Sequence, residues 1–115
     1  MERSECIFCK IADGVIPSDK LYEDDSIIAF NDIQPVAPVH FLVIPKEHII
    51  SLNDIAGKDE SLIGHMMAVA VKLAKEKGLK DDGYREIINC GKSAGQEVMH
   101  LHLHIIGGRN LDKMG

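Results

Sequence analysis

The sequence predicts an α+β domain: a five-stranded antiparallel sheet, one long helix and a short helix near the amino terminus. Three observations carry that expectation. Residues 20–23, 26–31, 40–44, 84–89 and the run from His100 to Ile106 alternate in polarity or form compact apolar blocks, as strands do. Residues 59–77 repeat apolar side chains at helical spacing, and the Asp24-Asp25 pair between the first two strand stretches is a hairpin signal.

Taken in order, residues 6–12 place Ile7, Phe8 and Ile11 with two cysteines on a short amphipathic helix. The chain then turns through Ile16, Pro17 and Ser18 into the 20–31 hairpin, whose Ile28, Phe30 and Ile33 read as core. Pro35, Ala37 and Pro38 keep the next link irregular. The block His40-Phe41-Leu42-Val43-Ile44, stopped by Pro45, is uninterrupted enough to predict burial on both faces at the centre of the sheet. A single helical turn is expected over 53–56. The long helix follows, with Asp59 and Glu60 in its first turn, Lys72, Lys75 and Lys77 toward its end, and Gly78 where a left-handed cap belongs. Its stripe of Leu62, Ile63, Met66, Met67, Ala70, Leu73 and Ala74 is a core face wide enough to reach a second subunit. Asp81-Asp82-Gly83 turns into the strand from Tyr84. A polar loop, 90–95, then leads to the histidines; its Gly91-Lys92-Ser93 is not a P-loop, since Glu86 stands where that motif needs glycine.

Bulk composition sets bounds. With 115 residues, 45% of them hydrophobic, the chain makes one domain over 1–115. It has no long apolar run and no signal-peptide pattern, so a soluble, cytoplasmic protein is expected, without membrane partners. A net charge of −5 argues against binding a nucleic-acid polymer, which calls for a basic face. Three cysteines are too few for a disulfide framework.

The chemistry concentrates in Gln96 to Arg109. His100, His102 and His104 alternate with Leu101, Leu103 and Ile105, so a two-residue period puts the imidazoles on one face and the aliphatics in the core. Imidazole fills cores poorly and each ring nitrogen needs a partner, so three of six histidines in one row have little structural use. Such a row can share a metal with an open position, or one imidazole can attack an electrophile while its neighbours orient it and move protons. Gly107, Gly108 and Arg109 predict a turn with free amides and a fixed cation, a setting for an anion such as phosphate. Cys6 and Cys9 have metal-ligand spacing, with His48 and His100 available to complete four ligands; equally, they read as small apolar residues of the short helix. Read alone, Asp32 is a turn residue, His40 an ordinary half-buried histidine, His48 a surface one and Cys90 a packed thiol.

His-Leu-His-Leu-His followed by Ile-Ile-Gly-Gly-Arg resembles the signature of the histidine triad nucleotide-binding family, and the likeness runs from Cys6 to Arg109. The Gly-Gly-Arg ending is similar to the phosphoramidase branch rather than to the fragile histidine triad branch. The resemblance implies a homodimer that continues the sheet across its interface. It also implies a purine nucleotide or nucleoside phosphoramidate as substrate, cleaved at its P–N bond through a nucleotidyl-histidine. Phe8, Ile11, Phe30, Ile33 and Leu42 match an apolar slot for the base, and Asp32 matches the carboxylate that binds the ribose hydroxyls. His102 matches the nucleophile and His104 the group on a nonbridging oxygen, with Asn89, Gly95 and Gln96 beside the phosphate. His40 is expected to orient the catalytic imidazole, and His40 or His104 to protonate the leaving amine. In members with Cys-x-x-Cys, the resemblance implies a structural zinc held by Cys6, Cys9, His48 and His100. Glu97 stands where animal members carry a phosphate-contacting serine, and the short tail from Asn110 lacks their aromatic-proline ending. Dinucleoside polyphosphate hydrolysis, or nucleotide binding with incidental turnover, are the alternative functions.

Overall fold

A computed structural model describes residues 3–114 of the chain. It contains strands β1 (Lys20–Glu23), β2 (Ile27–Asn31), β3 (Val39–Pro45), β4 (Tyr84–Ile87) and β5 (Leu103–Gly107), with helices α1 (Ile7–Ala12) and α2 (Glu60–Glu76). The strands form one sheet in the order β1-β2-β3-β5-β4, and all neighbours are antiparallel. This is the α+β architecture expected from the sequence.

Strand β3 is central and buried from His40 to Pro45, because helices cover both of its faces. Its two-residue period sends Phe41 and Val43 into the core under α2, with Ile27, Ala29, Leu103 and Ile105. Leu42 and Ile44 project to the opposite side, where they pack with Phe8, Cys9, Ile11, Ile28 and Phe30 around α1. Helix α2 buries Met66, Val69, Ala70, Leu73 and Ala74, the i, i+3, i+4, i+7, i+8 stripe of a single face. It ends at Gly78, whose φ of +79° is the left-handed cap that the sequence predicts.

The β1–β2 turn is tied by one carboxylate. Asp24 accepts hydrogen bonds from the Ser26 and Ile27 amides (2.9 and 3.0 Å), from the Tyr22 hydroxyl (2.7 Å) and from His65 Nε2 of α2 (2.6 Å). Burial raises its pKa, but the bonds from His65, Tyr22 and the two amides outweigh that and hold the carboxyl well below the usual carboxylate range. His65 thus pins the hairpin to the helix.

Four local expectations are corrected. The helical turn after β3 is Leu52–Asp54, and β4 ends at Ile87 rather than at residue 89. Ile33 is not core: it is 90% exposed on the loop between β2 and β3. The histidine row is a paired strand only from Leu103, because β3 meets β5 no further than Val43 opposite Leu103, and β4 no further than Ile87 opposite His104. Upstream of that point the backbone finds other partners, the Leu101 amide bonding to the Ile49 carbonyl (2.6 Å). Among the described residues, no helix is long and apolar enough to cross a membrane.

Candidate active site

The three histidines leave the sheet toward two different places. His100, at the bend before β5, is fully buried, and its Nε2 lies 2.8 Å from the Pro45 carbonyl. A carbonyl only accepts, so that nitrogen carries the proton and Nδ1 keeps its lone pair. Nδ1 faces Cys6 Sγ (3.3 Å), Cys9 Sγ (3.4 Å) and His48 Nδ1 (3.3 Å), and Cys9 Sγ lies 3.2 Å from His48 Nδ1. All four ligand atoms lie within 4.8 Å of one another. Tetrahedral zinc, with Zn–S near ~2.3 Å and Zn–N near ~2.05 Å, sets neighbouring ligand atoms about 3.3–3.8 Å apart, so the set fits a closed four-ligand site.

The surroundings of that cluster are also those of a metal site. The Pro45 carbonyl fixes the tautomer of His100 as outer-shell groups do for metal-bound imidazoles. Arg3 Nη1 lies 3.2 Å from Cys9 Sγ, a cation suited to a thiolate, while its other nitrogen pairs with Asp13 (2.7 Å). Burial, followed by the neighbouring Cys6 thiol, pushes Cys9 up to about 11, so the thiol needs a cation to lose its proton at neutral pH. Cys6 is the N-cap of α1, its sulfur accepting from the Cys9 amide, which puts both sulfurs on the same side of the helix start.

His102 and His104 face elsewhere. His102 is buried against Phe8, ring centroids 5.1 Å apart and nearly perpendicular, and its centroid is 4.8 Å from that of His104. Its Nδ1 lies 2.7 Å from the His100 carbonyl, so Nδ1 carries the proton and Nε2 presents a lone pair. Burial pushes its pKa below the ordinary histidine value. His104 reaches His40: His104 Nδ1 and His40 Nε2 are 3.0 Å apart, with Asp32 Oδ2 3.3 Å from the same His40 nitrogen. Burial, then the neighbouring His102 and His40, takes His104 down to about 4, so it is neutral at physiological pH.

Other expected residues divide into those the fold gathers and those it does not. Phe8, Ile11, Phe30 and Leu42 form one apolar cluster beside His102, the first and third in an edge-to-face pair at 5.7 Å; Ile33 stands apart from it. Asn89 lies half-buried just beyond β4, and Gly95 closes the short turn 92–94 with a φ of +92°. Gln96 is almost fully buried and fastens that loop: its Oε1 accepts from the Gly91 amide (2.8 Å), and its Nε2 donates to the Ile50 (2.7 Å) and Val98 (3.1 Å) carbonyls. Both amide protons are engaged, so Gln96 shapes the loop and has none left for a phosphate. Arg109 is exposed and two of its five N–H groups donate to the Val36 (3.0 Å) and Asn110 (2.8 Å) carbonyls, which fixes the direction of its guanidinium. The carbonyls of Pro45 and His100, and the Val36 amide that donates to His40 Nδ1 (3.1 Å), fix the histidine protons; they left no mark in the sequence because any residue type but proline supplies an amide and every residue a carbonyl.

The comparisons with known proteins agree with this geometry. The family described as "Scavenger mRNA decapping enzyme C-term binding" matches residues 5–114. The purine nucleoside phosphoramidase of Escherichia coli (strain K12) is 47% identical over 110 residues, covering 96% of this chain and 92% of that protein. The structure of a histidine triad protein from Clostridium difficile superposes with a TM-score of 0.94 at 55% identity, over 100% of both chains. A zinc-bound histidine triad family protein from Mycobacterium smegmatis superposes with a TM-score of 0.82 at 38% identity, over 99% of this chain and 82% of that one. With its fold, its histidine row and these relatives in agreement, the chain belongs to the histidine triad family.

Proposed function

We propose that this single-domain protein hydrolyses the P–N bond of purine nucleoside 5'-phosphoramidates, with His102 as nucleophile. The observation that carries the reading is the 2.7 Å contact of His102 Nδ1 with the His100 carbonyl, which leaves Nε2 as a neutral lone pair on a buried ring. Nε2 attacks phosphorus, the P–N bond breaks, and the nucleotide is held on His102 until water cleaves it. The ring becomes cationic as it bonds to phosphorus, and the Nδ1–H to the His100 carbonyl stabilises that charge. His104, bonded through Nδ1 to His40, keeps Nε2–H as a donor to a nonbridging phosphoryl oxygen. Because His104 is neutral near pH 7, the departing amine takes its proton from water beside the His40–His104 pair, and the hydroxide left behind is the nucleophile that cleaves the nucleotidyl-histidine.

The apolar cluster of Phe8, Ile11, Phe30 and Leu42 offers a wall for the base, with Ile33 exposed on the loop between β2 and β3. Asp32 has a second oxygen beside His40 and accepts ribose hydroxyl protons as an ionised carboxylate does. Asn89 and the Gly95 backbone sit in the loop that approaches the phosphate. Cys6, Cys9, His48 and His100 would hold a structural zinc, whose contribution is to cross-link α1 to the start of the histidine row and so to orient the His100 carbonyl. The E. coli relative named a purine nucleoside phosphoramidase supports the substrate class. Two buried thiols without a disulfide suit a reducing, cytoplasmic setting. A homodimer is supported by edge strand β4, where Glu86 Oε1 is buried without a partner among the described residues, and by Met67 of α2, which is 40% exposed.

The test is turnover of an adenosine phosphoramidate bearing a fluorescent amine, compared with a dinucleoside polyphosphate. The reading expects the phosphoramidate to be preferred and His102→Ala to abolish its turnover. Equal rates for parent and variant, or a preference for the polyphosphate, would overturn it.

A further inference from the structure

The Gly107-Gly108-Arg109 turn grips the loop joining β2 to β3. Gly108 has a φ of +92°, and a Cβ placed there would sit 2.9 Å from Pro38 Cβ, so only glycine lets the turn lie this close. One residue on, Arg109 Nη2 donates to the Val36 carbonyl at 3.0 Å. The other polar group of Val36 is aimed inward: its amide donates to His40 Nδ1 at 3.1 Å.

That amide decides where two protons sit. An N–H can face only a lone pair, so His40 Nδ1 is unprotonated and its proton is on Nε2. His40 Nε2–H then donates to His104 Nδ1 at 3.0 Å, with Asp32 Oδ2 as a second acceptor at 3.3 Å. His104, accepting through Nδ1, must carry its own proton on Nε2. The sequence of bonds runs from Arg109 through Val36 and His40 to His104. We infer that Arg109 is a positioning residue: by holding the Val36 carbonyl it fixes the residue whose amide faces His40, so that His40 and His104 are both kept in their Nε2–H tautomers.

The same arrangement disfavours a metal ion at Asp32, His40 and His104, although their ligand atoms converge within 4.8 Å. A metal at His40 Nε2 would require its proton to move to Nδ1, where it would oppose the Val36 N–H. The brace therefore protects this site from the metal ions that the Cys6–Cys9 cluster is suited to bind. Loosening it removes the obstacle.

The kinetic consequences rest on the phosphoramidase reading, whereas the tautomer and metal consequences do not, and the experiment separates them. Long-range proton–nitrogen NMR of the zinc-loaded parent at neutral pH should show His40 and His104 as Nε2–H. In Arg109→Ala, His40 should become a mixture of tautomers, and calorimetric titration with zinc should show a second site that the parent lacks. Turnover of an adenosine phosphoramidate should lose about tenfold in kcat, a part of the 10² to 10⁴ that acid–base groups supply, with KM changing less. Arg109→Lys, which keeps one donor, should recover most of these properties and serves if the alanine variant folds poorly. His40 found as Nδ1–H in the parent overturns the inference. So does an Arg109→Ala protein with unchanged tautomers and no added zinc site. Correct tautomers without phosphoramidate turnover would instead sink the functional reading alone.

Discussion

Gly108→Ala probes the close approach of the two loops, and Gly83→Ala is its control. The two glycines have nearly the same φ, +92° and +96°, so alanine strains the backbone alike at either, by about 1–3 kcal/mol. Only the surroundings differ. At Gly83 a new Cβ meets nothing within 4 Å, whereas at Gly108 it lies 2.9 Å from Pro38 Cβ and 3.5 Å from the Val39 nitrogen. Pro38 is a ring between irregular backbone and β3, so it yields only if the loop moves, and overpacking of this kind costs about 1–3 kcal/mol more. Gly108→Ala should therefore destabilise by about 2–6 kcal/mol, some 1–3 kcal/mol beyond Gly83→Ala. Urea unfolding followed by far-UV circular dichroism reads this as a lower midpoint at an unchanged slope. Equal midpoints for the two variants would refute the reasoning, since they would mean that Pro38 makes no close contact with the turn.

Three further outcomes follow from the same structure. Asp24→Asn should cost about 1–3 kcal/mol by weakening the hairpin's tie to α2; because the native carboxyl is held below its unfolded value, its stabilisation is present above about pH 4 and lost as pH falls further, so the variant's deficit in denaturant should vanish in strong acid. His104 falls from 6.5 to about 4 on folding, which makes the unfolded chain bind more protons between those values, so stability should decline as pH drops through that window and His104→Gln should flatten the decline; an undiminished slope in the variant would count against it. Stripping zinc with a chelator, or Cys6→Ser with Cys9→Ser, should lower the unfolding midpoint and remove about one zinc per chain by metal analysis, while zinc lost from His102→Ala instead would reassign the metal.

The sheet was legible wherever a residue's neighbours are set by its own pattern. The 40–44 block announced a strand covered on both faces, and the chain places α2 over Phe41 and α1 against Leu42. The bounds of α2 were readable because Asp59, Glu60 and Gly78 mark its ends. The histidine row marked the candidate residues for chemistry but not where they would diverge: alternation fixes an extended backbone, yet only partner strands decide where pairing stops, and both partners give out at Leu103 and His104. The Cys-x-x-Cys left zinc and plain packing open, and the fold adds His48 and His100 to it, a set of four that could hold a metal ion. Arg109 and Gln96 were read as ligand-facing because they are polar beside a functional motif. Both Gln96 amide protons go instead to the Ile50 and Val98 carbonyls, and one Arg109 nitrogen is held by that of Val36, acceptors that no residue type signals. Ile33 looked like core by hydrophobicity alone and lies on an exposed loop.

Mass spectrometry of samples quenched in alkaline denaturant, where a histidine N–P bond survives, during turnover of an adenosine phosphoramidate tests the central claim most directly. The account predicts a transient adduct of one adenylyl group on the peptide containing His102, absent in His102→Ala and longer-lived where hydrolysis of the intermediate is slowed. Turnover with the label on another side chain, or steady cleavage in the His102→Ala protein, would contradict it.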